Sequence, residues 1–152
     1  MNREIKFRGK KCQHDFTYPT KQWVFGYLTA GKIHDDSEPA CRIHFQGDDF
    51  TWHDVRVIPE TVGQFTGLHD KNGREIYEGD VVRFDYSKIL KYALSGVVGL
   101  DRYNQLCIRI SPENKEEYGF GTGEFHIDNA VNRGEVAGNI HDSPELLKHN
   151  ID

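Results

Sequence analysis

The chain is poor in the residues that would assign it to a specialised class. Its three cysteines, Cys12, Cys41 and Cys107, are widely spaced and odd in number, which argues against the disulfide framework of a small secreted domain and favours a reducing, cytoplasmic setting. No stretch approaches the roughly 18 apolar residues of a membrane-spanning helix, and the N-terminus lacks the apolar segment of a secretory leader, so no membrane partner is expected. Positive charge is not in surplus: 19 Lys and Arg stand against 24 Asp and Glu, a formal net charge of −5. No global field therefore draws in nucleic acid or anionic lipid. There is no Ser- or Pro-rich linker and no internal repeat, and 152 residues suit one domain or one domain with a small appendage.

What the chain does have is glycine, aromatics and alternation. Fifteen glycines, nine phenylalanines and seven tyrosines favour strands and tight turns over helices. Ile5 and Phe7 alternate with Glu4, Lys6 and Arg8 as a half-buried first strand. Trp23 to Thr29 follows as a strong strand that puts Trp23, Phe25 and Tyr27 on one face, with Gly26 marking a bulge or close backbone approach. Ala40 to Gln46 alternates again and Gly47-Asp48-Asp49 turns. Phe50 to Pro59 is extended, with Val55 and Val57 opposing Asp54 and Arg56. Ser87 to Ala93 is ambiguous between helix and loop. A second hairpin is expected to turn near Arg102 to Asn104, with short strands at Glu124 to Ile127 and Glu135 to Ile140. Ser143-Pro144-Glu145 reads as the start of a short C-terminal helix.

The most informative stretch is Thr61 to Tyr86. A strand from Val62 runs into Asp70-Lys71-Asn72-Gly73, where Asn and Gly tolerate the positive φ that a hairpin turn demands. A short return strand reaches Tyr77, Glu78-Gly79-Asp80 makes a corner, and Val81 to Phe84 begins a new strand.

Candidate chemistry is thin. A calcium loop beginning at Asp70 needs Gly at its sixth position and Glu at its twelfth, and the chain has Glu75 and Val81 there. Cys12-x-His14 and Cys41-x-x-His44 are short pairs without zinc-site spacing, and Cys41 and His44 fall on opposite faces of a regular strand. Gly119, Gly121 and Gly123 form a GxGxG run, but an acidic loop precedes it and a strand follows, the wrong context for a phosphate cradle. Asp48/Asp49 and Glu116/Glu117 are sequence neighbours that diverge in an extended chain rather than sharing a site. No nucleophile elbow is present. Catalytic residues, metal ligands and cofactors are therefore expected to be absent. Trp23, Phe25, Tyr27, Phe45, Phe50 and Trp52 could stack single-stranded nucleic acid, but regular alternation makes core packing the stronger reading. Lifting the nucleic-acid idea requires the basic first strand, with Arg3, Lys6 and Arg8, to lie beside that platform.

Four segments resemble the YopX-like family of bacteriophage and prophage proteins: Ile5-Lys6-Phe7-Arg8-Gly9, the Trp23/Gly26/Tyr27 strand, the Thr61 to Val82 block TVGQFTGLHDKNGREIYEGDVV, and the closing Gly138 to Leu147. The resemblance marks Thr61, Gly63, Gln64, Gly67, Asp70, Asn72, Gly73, Glu78, Gly79, Asp80, Gly138 and Asn139 as structural family positions. It implies a mostly β fold with a barrel-like part around the Glu-Gly-Asp corner and a place in the cytoplasm of a bacterial host. No activity can be carried over from it.

The expected architecture is all-β. An N-terminal β subdomain (residues 1–60) precedes a small SH3-like barrel with a short C-terminal helix (residues 61–152). The expected function is that of a non-enzymatic accessory protein binding a protein partner or a second copy of itself. Nucleic-acid binding through Arg3, Lys6 and Arg8 ranks second, and an enzyme whose site converges from distant residues ranks third.

Overall fold

β-branched and aromatic runs punctuated by Gly and Asp turns give eleven strands among the residues that the computed structural model describes, 4–13, 22–31, 40–85, 93–110, 124–126 and 133–147. The chain divides into two compact units, Met1–Phe65 and Thr66–Asp152. The division falls inside a strand, five residues beyond the end of the 1–60 segment read from the sequence.

The first unit contains β1 (Phe7–Lys10), β2 (Trp23–Gly31), β3 (Ala40–Gln46), β4 (Trp52–Val57), a 3-10 turn at Pro59–Thr61 and the start of β5 (Gly63–His69). Its strands are antiparallel in the order β4-β3-β2-β1-β5. β2 pairs with β1 through Trp23 to Gly26 and with β3 through Tyr27 to Gly31, so the strand changes partner at Gly26. Only glycine fits there, because a Cβ would overlap the His44 carbonyl oxygen.

Beyond β1 the chain reaches the far edge of the same sheet. Lys11 bridges Val57, the Cys12 amide donates to Arg56 O at 3.0 Å and the Ile58 amide donates to Lys10 O at 2.8 Å. The resulting curl encloses Val24, Ile43, Val55 and Val57, with Leu28, Cys41, Phe45 and Val62 packed against them. Each fully buried aliphatic side chain there contributes about 1.5–3 kcal/mol.

The second unit takes the rest of β5 with β6 (Glu75–Tyr77), and adds β7 (Asp80–Asp85), β8 (Ala93–Leu100), β9 (Leu106–Ile110), β10 (Glu124–His126) and β11 (Glu135–Asn139). The last five form an antiparallel sheet in the order β10-β9-β8-β7-β11. β7 lies between β8 and β11, and Val81 and Val82, on its opposite faces, are both fully buried. The core is Ile76, Val82, Phe84, Leu94, Val98, Ile108, Ile110 and Val136. Gly96 and Gly134 let it close, since a Cβ at Gly96 would collide with Ile108 and one at Gly134 with Val82 and Phe84.

Two expectations change. Among the described residues the five-stranded sheet is open, because β10 and β11 end it on opposite sides without pairing with each other, and no closed SH3-like barrel is found. The expected C-terminal helix is a single 3-10 turn, Pro144–Leu147, in which the Leu146 amide donates to Ser143 O. Residues 87–92, the ambiguous segment but for Ala93, lie outside the described residues, and Ala93 opens β8.

Candidate functional site

The family positions fall into two sets by location, and both hold backbone. In the first unit the Thr61 hydroxyl donates to Ile58 O at 2.6 Å and accepts the Lys10 amide at 2.8 Å, while Gly63 and Gln64 pair with Arg8 and Phe7. In the second unit Asp70 is the hub. Its Oδ1 accepts the Asn72 and Arg74 amides at 2.8 and 2.9 Å, and its Oδ2 accepts the amide of Val136 on β11 at 2.9 Å. Asp70 is 6 % exposed. Burial alone would raise its pKa, but the three backbone N–H donors and the nearby Arg74 charge outweigh burial and hold the carboxyl below its ordinary value.

The neighbouring positions complete this scaffold. Gly73 takes φ +79 and its amide donates to Asp70 O, and Gly67 and Gly79 take φ +81 and +82. Gly79 sits between two strands, donating to Val98 O at 2.9 Å and accepting the Ile140 amide at 3.0 Å. Asp80, 1 % exposed, accepts the Tyr77 amide across the Glu78-Gly79 corner. Gly138 stands at a register shift between β11 and β7, where a Cβ would press on Leu146. Asn139 Oδ1 accepts the His141 and Asp142 amides. These residues join strands and present no reactive constellation.

The basic residues of the first strand separate. Arg3 lies outside the described residues. Arg8 is 7 % exposed, with its guanidinium 5.0 Å from the Trp23 ring centroid, so its charge is spent largely on an aromatic face. Lys6 is half-buried and lines a hollow described below.

That hollow is built outward rather than inward. In β2, β3 and β4 the core side is taken by Val24 and Leu28, by Ile43, and by Val55 and Val57. Alternation then turns Phe25 and Tyr27, His44 and Gln46, and Trp52 and Asp54 to the open side. Tyr27 is 60 % exposed and Trp52 64 %. Their ring centroids lie 6.5 Å apart with planes tilted by 40°. With Ile5, Lys6, His44 and Phe45 they border a hollow of about 210 Å³ at the place where β2 changes partner.

Polar contacts stiffen the surrounding face. Thr29 Oγ1 and His44 Nε2 are 2.7 Å apart, and Arg42 pairs with Asp54 at 3.0 Å. The β3–β4 turn carries Phe50 at its tip, 80 % exposed and at φ +62. Hydrogen bonds hold that tip: the Phe50 amide donates to Gly47 O, Gln46 Nε2 donates to Phe50 O, and Thr51 donates twice to Asp49 Oδ1. The Thr51 hydroxyl and amide thereby lower the Asp49 pKa.

The aromatic residues therefore depart from the core packing expected of them. Phe45 does pack against the core, but Phe25, Tyr27, Phe50 and Trp52 are exposed. β1 does lie directly beside the aromatic strand, with Arg8 opposite Phe25 and Lys10 opposite Trp23. Cys41 lies on the core side and His44 on the open side, as alternation requires. His14 and the GxGxG run are outside the described residues, and among the described residues no three His, Cys, Asp or Glu side chains gather as a metal site would need.

The chain belongs to the YopX family: the family described as YopX protein matches residues 6–148. No curated protein matches the chain.

Proposed function

We propose that this YopX-family chain is a non-enzymatic accessory protein of phage or prophage origin that works by binding another macromolecule across the open face of its first unit. The observation that carries this reading is the outward placement of Tyr27 and Trp52 around the hollow, together with Phe50 held at a left-handed backbone angle on the β3–β4 turn. Monomeric domains rarely leave large aromatics clustered in water without a partner to cover them, and a bulky side chain at positive φ carries strain that local structure alone does not reward. The family positions support the same view, because their side chains are engaged in holding strands together rather than in activating a nucleophile or water.

The test is affinity capture from host cells carrying the phage or prophage, with the wild-type chain and a Tyr27→Ala/Trp52→Ala variant side by side and a nuclease-treated lane for each. The reading expects material retained by the wild type and lost from the variant while both melt at similar temperatures. Equal retention by the two overturns it. A second copy of the chain is the other occupant this face fits, favoured by the additional exposure of Ile5 at 62 % next to the same hollow. Concentration-dependent light scattering that disappears in the variant would identify it.

A further inference from the structure

We infer that the occupant of this face is a second copy of the same chain, and that the two copies pair isologously, open face to open face, as a closed dimer. The inference rests on the reading of this face as the binding surface and names its partner. Area, charge balance and the placement of the other exposed rings choose that partner.

Among the described residues, five of the six exposed large hydrophobic side chains lie in the first unit. Phe25 and Tyr27 stand two residues apart on one side of β2, and Tyr27 meets Trp52. At exposures of 42, 60 and 64 %, these three offer roughly 250–400 Å² of aromatic surface, taking about 150–250 Å² for a whole aromatic side chain. A standard interface buries about 800 Å² per partner, of which about 450–520 Å² is apolar. Exposed Ile5, bordering the same hollow, brings the two figures close. The hollow itself, about 210 Å³, is smaller than the roughly 300–1,000 Å³ of a pocket that encloses a small molecule, and suits a side chain protruding from the other copy.

Charge favours self-contact on this face. Acidic and basic residues balance in the first unit, nine against nine, while the second unit holds fifteen acidic and ten basic residues and so carries the whole net charge of −5. The balance is also local. Glu4 and Lys6 border the hollow together, and Arg42 and Asp54 on the open side are paired with each other. A face with no surplus of either sign meets its own copy without repulsion and offers a charged partner nothing to steer it. Contact through the second units would bring like net charges together.

Pairing through two different patches would need a second apolar surface complementary to the first. The sixth exposed ring, Tyr103, lies on the β8–β9 turn of the acidic second unit, with the Arg102 guanidinium 4.9 Å from its centroid. One ring covered on one side is no second patch, so the first face is left to pair with itself.

The full-length chain is followed by sedimentation velocity from micromolar to submillimolar concentration. Its mass is expected to rise from one chain to two and to stop there. Tyr27→Ala and Trp52→Ala should each weaken association by about 30-fold or more, as truncation of a hot-spot aromatic does. Ile5→Asp and Ile5→Lys should each weaken it by about 10-fold or more, because isologous pairing sets like charges face to face. An equimolar mixture of the Ile5→Asp and Ile5→Lys chains should recover the dimer, with energy transfer between labels of two colours. Tyr103→Ala should leave association unchanged.

A wild-type chain that melts cooperatively and keeps the mass of one chain throughout overturns the inference, as does growth beyond two copies. So does a dimer that Tyr103→Ala dissolves and Tyr27→Ala/Trp52→Ala leaves intact, or a charge mixture that stays monomeric where the wild type dimerises. Capture from host cells then separates the two readings. If the wild type is monomeric yet retains a macromolecule that Tyr27→Ala/Trp52→Ala loses, the face binds and its occupant is foreign. If that variant loses nothing, the reading of the face falls with the inference.

Discussion

Two hairpin tips place non-glycine residues at the same backbone angle. On the β8–β9 turn of the second unit the residue at φ +62 is Asn104, and Asp101 Oδ1 accepts the Tyr103 and Gln105 amides beneath it. On the β3–β4 turn of the first unit the residue at φ +62 is Phe50, above a similar Asp49–Thr51 hydrogen bond. Asn is among the side chains that tolerate the left-handed region, whereas a large aromatic pays about 1–2 kcal/mol to be there. Both turns connect strands and carry an exposed aromatic, Tyr103 in the second unit and Phe50 in the first, but only in the first does the aromatic itself take the left-handed angle. The wider comparison agrees: the second unit buries the carboxylate hubs Asp70 and Asp80, and the first leaves Tyr27 and Trp52 exposed on one sheet face.

The comparison breaks most severely at Asp70. Replacing it with Ala strands three backbone N–H donors, two part-buried and one buried, and should cost about 2–4 kcal/mol in urea unfolding followed by far-UV circular dichroism. A loss under 1 kcal/mol would show that the hub is decorative. The same residue sets an acid limit. Its folded pKa lies below the unfolded value of about 3.9, so its contribution is fully present above pH ~4 and is lost as pH falls through the folded pKa. The Asp70→Asn chain should therefore show a flatter fall in stability below pH 4 than the wild type.

Next in size is Gly26→Ala, which forces a methyl into the His44 carbonyl where β2 changes partner. About 1–3 kcal/mol of destabilisation is expected, with the melting temperature as the readout, and an unchanged melt would mean that the strand can shift there freely. A smaller effect of opposite sign separates the two tips. Phe50→Asn should stabilise the chain by about 1 kcal/mol by matching the residue to its φ, whereas Asn104→Gly should stay within about 0.5 kcal/mol. If Phe50→Asn destabilises instead, the ring is packed rather than presented. Smallest is Trp52→Ala, an exposed truncation expected to move stability by no more than about 0.5 kcal/mol.

Much of the architecture could be read from residue order. The Asn72-Gly73 turn, the Gly79 corner, the Ala40 to Gln46 strand and the hairpin about Arg102 to Asn104 follow from local turn chemistry and alternation, which act over a few residues. The side of β2 that faces the core could not be read the same way. Both of its faces are apolar, Val24, Gly26 and Leu28 on one and Trp23, Phe25 and Tyr27 on the other, and the regular alternation that favours core packing of the aromatics does not decide which face turns inward. What decides it is the curl that brings Lys11 to Val57, a contact 46 positions apart in the chain and invisible to periodicity. The paired barrier to the barrel expectation is also long-range, since whether β10 and β11 meet depends on the whole sheet. The aromatic site was named residue by residue in the sequence but assigned inward for that reason.

The bond from the Val136 amide to Asp70 spans 66 positions, and that distance bears on how the chain is made. During synthesis the Asp70-Lys71-Asn72-Gly73 turn leaves the ribosome long before β11 does, so for that interval its carboxylate can serve only the two local amides of Asn72 and Arg74. Long-range strand pairing is slow to form because its loop entropy is spent before the contact is made. The clamp is therefore a late event, and Asp70→Asn should speed unfolding more than it slows refolding in stopped-flow measurements. A nascent chain released before residue 136 would hold the turn in outline but lack its lock.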